Sequence, residues 1–149
     1  MTKGIKFTFM IISINLLIAG IICISMFGAK SLIDFFYSLP LNLGIGIFGL
    51  YFAGYFVSKK MEVLIKNRFK NSILIGVLGL LAILIFGIFL GSTVGFSQEG
   101  VVNLNEYNKI SDAIFDYYFK PFFWILLFGI IPTILAGGIL GLLIKQIKL

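Results

Sequence analysis

The chain has 149 residues, of which 60% are hydrophobic and 12% charged. Soluble domains carry about 25% charged residues, so composition excludes an ordinary soluble domain and points to a membrane protein. There is no His and one Cys, Cys23, which excludes a disulfide framework and a Cys/His zinc site within one chain. Twelve basic residues stand against six acidic ones, but the basic ones flank apolar runs. The excess is therefore read as topogenic, and no nucleic-acid partner is expected.

Lys3 and Lys6 precede an uncharged run over 7–27. A cleaved leader has an apolar core of only about 7–15 residues, so this run is predicted to stay as a first span. Asn15 lies inside it, and an amide within lipid is expected to bond across to another helix. The segment 29–39, with Lys30 and Asp34, reads as a short outer connection. Pro40 suits the first turn of a helix, where a missing N–H costs nothing. A second span is predicted over 39–57, with Gly44, Gly46, Gly49 and Gly54. The spacing of Gly44, Gly46 and Gly49 matches a dinucleotide-binding fingerprint. That fingerprint needs a preceding strand and an acidic residue about 20 positions on; neither is present, so these are read as helix-packing glycines.

The segment 58–72 carries Lys59, Lys60, Lys66, Arg68 and Lys70 against Glu62. It is assigned to the cytoplasmic side, and its basic residues are candidate contacts for anionic lipid or an acidic partner. The third span is predicted over 73–95, with Gly87, Gly91 and Gly95 on one face at four-residue spacing, where a neighbouring backbone can approach closely. Thr93, Val94, Gly95 and Phe96 resemble four residues of the potassium-channel filter, which presents stacked backbone carbonyls to the ion. The final glycine of that pattern is Ser97 here, and no separate pore helix precedes it. The stretch is read as the end of the third span.

Residues 97–120 form a long outer connection with Glu99, Glu106, Asp112 and Asp116. Asn103 followed by Glu106 resembles a capping box, and Tyr107, Ile110, Ile114 and Tyr117 recur at helical spacing. An amphipathic outer helix over 104–118 is predicted. Asp112 and Asp116 share an edge of it and are read as a solvated acidic edge, not an acid–base pair. The fourth span, 122–144, opens on an aromatic belt that includes Trp124. It carries a second ladder, Gly129, Thr133, Gly137 and Gly141, and an internal Pro132 that is a candidate hinge.

Four spans place both termini on one side. Nine of the twelve basic residues then fall inside and five of the six acids outside, which predicts an N-in, C-in orientation. Ile33, Phe36, Tyr37 and Pro40 parallel Ile114, Tyr117, Tyr118 and Pro121 in spacing, as in two copies of one helical hairpin. The expected fold is therefore all-α: a polytopic membrane protein of four transmembrane helices in two hairpins, as a single domain over 1–149. The Ile-, Phe-, Lys- and Asn-rich composition suggests a bacterial cytoplasmic membrane.

No Asp, Glu, Lys, Arg or His lies in the interior of any span. Such residues mark proton relays and ion-coupled transport, and an enzyme would need a nucleophile, a base or a metal. No catalytic activity, cofactor or metal is expected. The sequence points to a small non-enzymatic membrane protein that self-associates through a glycine ladder, with a channel or membrane-permeabilising role. The alternatives are an accessory or anchoring subunit of a larger membrane complex, such as a transporter partner or an immunity-type protein, or a binder of lipid or another apolar ligand. The expected partners are membrane lipids and either further copies of the chain or another membrane protein.

Overall fold

The computed structural model describes residues 2–38, 40–66, 71–101 and 109–146. Its helices are α1 (Lys3–Phe27), α2 (Ala29–Ser38), α3 (Pro40–Lys66), α4 (Ser72–Gly95), α5 (Ile110–Ile114) and α6 (Lys120–Gln146). A π-helical turn, Phe96–Gly100, prolongs α4, and a second, Phe115–Phe119, joins α5 to α6. Four continuous helices are long and apolar enough to cross a membrane: Lys3–Phe27, Pro40–Lys66, Ser72–Gly100 and Ile110–Gln146. The expected all-α, four-helix, multi-pass architecture is present.

The spans exceed their apolar runs. The first part of the basic segment 58–72 is the last two turns of α3, held there by the buried side chains of Met61 and Ile65. The expected outer helix is helical from Ile110, and it runs without a break into the fourth span for 37 residues in all. Arg68, Lys70, Asn103, Glu106, Tyr107 and Lys148 lie outside the described residues.

The connection 29–39 differs from its reading, because ten of its residues form α2. Gly28 makes this possible. It ends α1 at φ 82°, a backbone region that only glycine enters at little cost, and its N–H bonds Ile24 O at 2.9 Å. The chain turns and starts a new helix at Ala29. Ile33, Phe36 and Tyr37 stand at i, i+3 and i+4, a helical spacing. Both copies of the weak internal repeat are therefore helical segments that lead to a proline near the start of a span.

Capping fixes two of the starts. The Thr2 hydroxyl accepts from the Ile5 N–H at 3.4 Å, and the Asn71 side chain accepts from the Leu74 N–H at 3.4 Å. Thr2 also ties α1 to α3, since its hydroxyl donates to Glu62 Oε1 at 2.7 Å. The Glu62 carboxylate rests on Gly4, where a Cβ would overlap it. It thus places negative charge at the N-terminus of α1, where the helix dipole favours it.

In the bundle α4 packs between α3 and α6, and α1 closes the other flank of both. The core is one-sided along the helix axes. Buried residues of α1 run only from Gly4 to Ile12, and those of α6 only from Thr133 to Ile144. Ile5, Met61, Ile83, Leu140 and Ile144 are almost fully enclosed. This packed half lies toward Lys3, Lys66 and Lys145, called the basic end below. In α4 alone do buried residues run from one end, Ser72, to the other, Gly95.

Candidate functional site

Both glycine ladders are occupied inside the chain, and they do not face one another. Gly87, Gly91 and Gly95 of α4 meet α3. A Cβ on Gly91 would lie 3.0 Å from Asn42 O and 3.5 Å from Gly46 Cα, and one on Gly95 would lie 2.7 Å from Asn42 Nδ2. A Cβ on Gly87 would lie 3.1 Å from Gly46 O. Gly137 and Gly141 of α6 meet α4 nearer the basic end, between Ser72 and Val77. A Cβ on Gly137 would lie 2.7 Å from Val77 Cα, and one on Gly141 would overlap Ser72 O. Only residues without a side chain allow backbones this close, and the reward is dispersion over the whole crossing. The sequence showed these glycines, but not Gly76, which receives Gly137 and Gly141 on α4. A lone glycine in an apolar run carries no spacing signal, and its partner is on another helix.

The upper rungs of the α6 ladder behave differently. Gly129 would bring a Cβ only to 3.8 Å from Leu84. Thr133 is buried, at 2% exposure, and its hydroxyl accepts from Asn15 Nδ2 at 3.4 Å. This is the interhelical bond expected of Asn15. Its other amide atom, Oδ1, is buried without a partner. Pro132 sits within an unbroken α6, and with no N–H it leaves the Phe128 carbonyl without its helical donor.

Above that level the bundle opens. Thr8 and Ile12 pack on Gly54 of α3, and Ser13 and Phe9 meet Tyr51, by a 2.7 Å hydrogen bond and an edge-on ring contact at 5.2 Å. One to two turns further from the basic end, Gly20 of α1 and Gly44 of α3 have nothing within 4 Å of a Cβ position. Both lie on the edges by which these helices face each other nearer the basic end. No residue of α1 from Ser13 to Phe27 is buried, and Leu17 is 68% exposed. The stretch between α1 and α3 where Gly20 and Gly44 meet nothing is called the crevice below; the Asn15–Thr133 bond lies beside it, with Asn15 Oδ1 closed to solvent.

The crevice offers packing, not bond-making. Its thiol, Cys23, is half-buried and stands one turn beyond Gly20. Among the described residues no three His, Cys, Asp or Glu side chains converge as a metal site would require. Asp116 pairs with Lys120 at 2.7 Å, while Asp112 accepts from the neighbouring Ser111 hydroxyl at 3.4 Å. Each carboxylate is engaged separately. The stretch resembling a channel filter is helix: Thr93 bonds back to Phe89 O at 2.8 Å, and Gly95 lies against Asn42. Its carbonyls do not line a pore.

At the basic end Lys59, Lys60 and Lys66 are exposed on α3. Lys59 Nζ donates to Tyr55 OH at 2.7 Å and lies 4.1 Å from the centre of that ring. Lys59, Lys60, Val63 and Leu64 line a shallow depression of about 310 Å³. The fold thus defines a multi-pass, four-helix membrane protein with two distinct surfaces, the crevice and the basic end of α3. Comparison with known protein families, characterised proteins and solved structures finds no match.

Proposed function

We propose that the chain is a non-enzymatic accessory subunit of a membrane complex, and that the crevice between α1 and α3 receives a transmembrane helix of its partner. One observation carries this reading. The ladder glycines from Gly87 to Gly95, with Gly137 and Gly141, meet a neighbour within the chain, whereas Gly20 and Gly44 meet none. Small residues opposite empty space suit a close helix approach. A lipid chain gains nothing specific from a bare backbone. Self-association through Gly91 or Gly137 loses its basis, since both contacts are made inside one chain. The interior between the packed helices is filled by Ile, Leu and Met, so one chain does not form a pore. The charge pattern supports an orientation with both termini inside, and the Ile-, Phe-, Lys- and Asn-rich composition supports a bacterial cytoplasmic membrane.

The native thiol provides the test. Cys23, the single cysteine, should react slowly with a membrane-permeant maleimide in native membranes and faster once the chain is purified in detergent. Gly44→Leu should expose Cys23 in native membranes and release the partner, with the thermal stability of the purified chain not lowered. A complex whose mass is a multiple of 16.6 kDa would make the occupant a second copy. Equal Cys23 reactivity in both settings, with a lone chain in mild detergents, would refute the proposal.

A further inference from the structure

We propose that the lipid-facing surface of α3 is a site for one anionic phospholipid, its phosphate held by Lys59, Lys60 and Tyr55 and one acyl chain lying along Phe56, Phe52 and Phe48. This site is separate from the crevice and does not depend on what the crevice holds.

The three phenylalanines recur every four residues and are 52%, 47% and 63% exposed. They form a continuous ridge, with ring centres 5.1 Å apart for Phe52–Phe56 and 6.0 Å for Phe48–Phe52, joined from α4 by Phe86 at 6.4 Å. Tyr55 meets Phe56 edge-on at 5.3 Å and so ties the ridge to the lysines. From Lys59 to Phe48 the helix rises about 16 Å, close to half of a hydrocarbon core about 30 Å thick. The ridge therefore matches one leaflet, with its cations at the headgroup level.

The polar end is built for an anion. Tyr55 OH accepts from Lys59, which directs its own O–H outward as a donor, and the ammonium keeps two further donors. Lys60 is exposed on the next position. The acid nearest in sequence, Glu62, accepts from Thr2 at the start of α1. Among the described residues the one ion pair, Asp116–Lys120, lies at the far end of the bundle. Two neighbouring ammonium groups without a carboxylate partner call for a negative ligand. Val63, Leu64 and the stems of the two lysines line a shallow apolar depression beside them. A free phosphate would use the lysines but not the ridge, so the ridge favours a lipid.

The test is native mass spectrometry of the full chain in detergent, titrated with phosphatidylglycerol or with phosphatidylcholine of the same chains. Each surface lysine near an anionic headgroup contributes about fivefold in affinity, so phosphatidylglycerol should bind about 25-fold more tightly. Lys59→Gln and Lys60→Gln should each remove about fivefold, and the double variant should bind the two lipids alike. Lys109→Gln, at the opposite end, should change nothing. Equal binding of the two lipids by the native chain would overturn the proposal, as would a preference that survives in the double variant. Displacement of the lipid by an equal concentration of glycerol phosphate, which has the phosphate but no acyl chains, would reassign the site to a soluble anion and also overturn it.

Discussion

Adding one methyl group at two glycines should give opposite results. In Gly137→Ala the new Cβ would stand 2.7 Å from Val77 Cα, 3.0 Å from Gly76 O and 3.1 Å from Val77 N. All three atoms are backbone, so no side chain can turn aside. Ordinary contact begins near 3.4 Å, so α4 and α6 must part locally by about 0.7 Å, and a gap of that size forfeits roughly a quarter to a half of each contact it opens. Overpacking of this kind costs about 1–3 kcal/mol. Alanine's better helix propensity returns about 1 kcal/mol, which leaves a net loss of up to about 2 kcal/mol. In Gly44→Ala the methyl meets nothing within 4 Å, so only the propensity term acts and stability rises by up to about 1 kcal/mol. The assay is reversible unfolding of the purified chain in mixed micelles of mild detergent and dodecyl sulfate. The refuting result is a Gly44→Ala variant as unstable as Gly137→Ala, or a Gly137→Ala variant as stable as the native chain.

Three further substitutions test other parts of the packing in the same assay. Ser58 is fully buried and its hydroxyl has no partner, so Ser58→Ala should raise stability by about 1 kcal/mol; a loss would mean that the hydroxyl is bonded. Asn15→Leu should leave the isolated chain equally stable or slightly more so, because it removes an unpaired buried acceptor. A marked loss would mean that Oδ1 is bonded. Thr2→Ala removes both the cap of α1 and the bond to Glu62, at a cost of about 1 kcal/mol. The loss should be largest in amide protection over the first turns of α1, and unchanged exchange there would deny Thr2 that role.

The spans were legible because lipid imposes length and polarity on every residue that crosses it. The ladders from Gly87 to Gly95 and from Gly129 to Gly141 were legible as contact faces, because four-residue spacing puts residues on one side of a helix. What they touch was not legible. A bare face invites a backbone without naming whose it is, and Gly46 and Gly76 became partners only when α3 and α6 were seen to meet α4 at different heights. The helix α2 was hidden for another reason. A ten-residue segment with Lys30 and Asp34 reads as a connection, and the turn at Gly28 that frees it to be helical is a property of φ. The crevice left no trace in composition, since Gly20 and Gly44 look like any other glycine in an apolar run.

The packed and open halves of the bundle have different obligations. Near the basic end α1 is held by the Thr2–Glu62 bond, by Gly54 under Thr8 and Ile12, and by Tyr51 against Phe9 and Ser13. Beyond Asn15 no residue of α1 is buried in the chain, and its apolar surface is covered by whatever the membrane supplies. Evolution or design that served stability alone would close this half with the larger side chains that close the other. Glycine at both 20 and 44 does the reverse: it lowers helix propensity by about 1 kcal/mol at each site and gains no internal contact. Such a pair of glycines is what the proposed docking of a partner helix requires. Asn15 carries a cost of the same kind, since its buried Oδ1 has no partner in the chain.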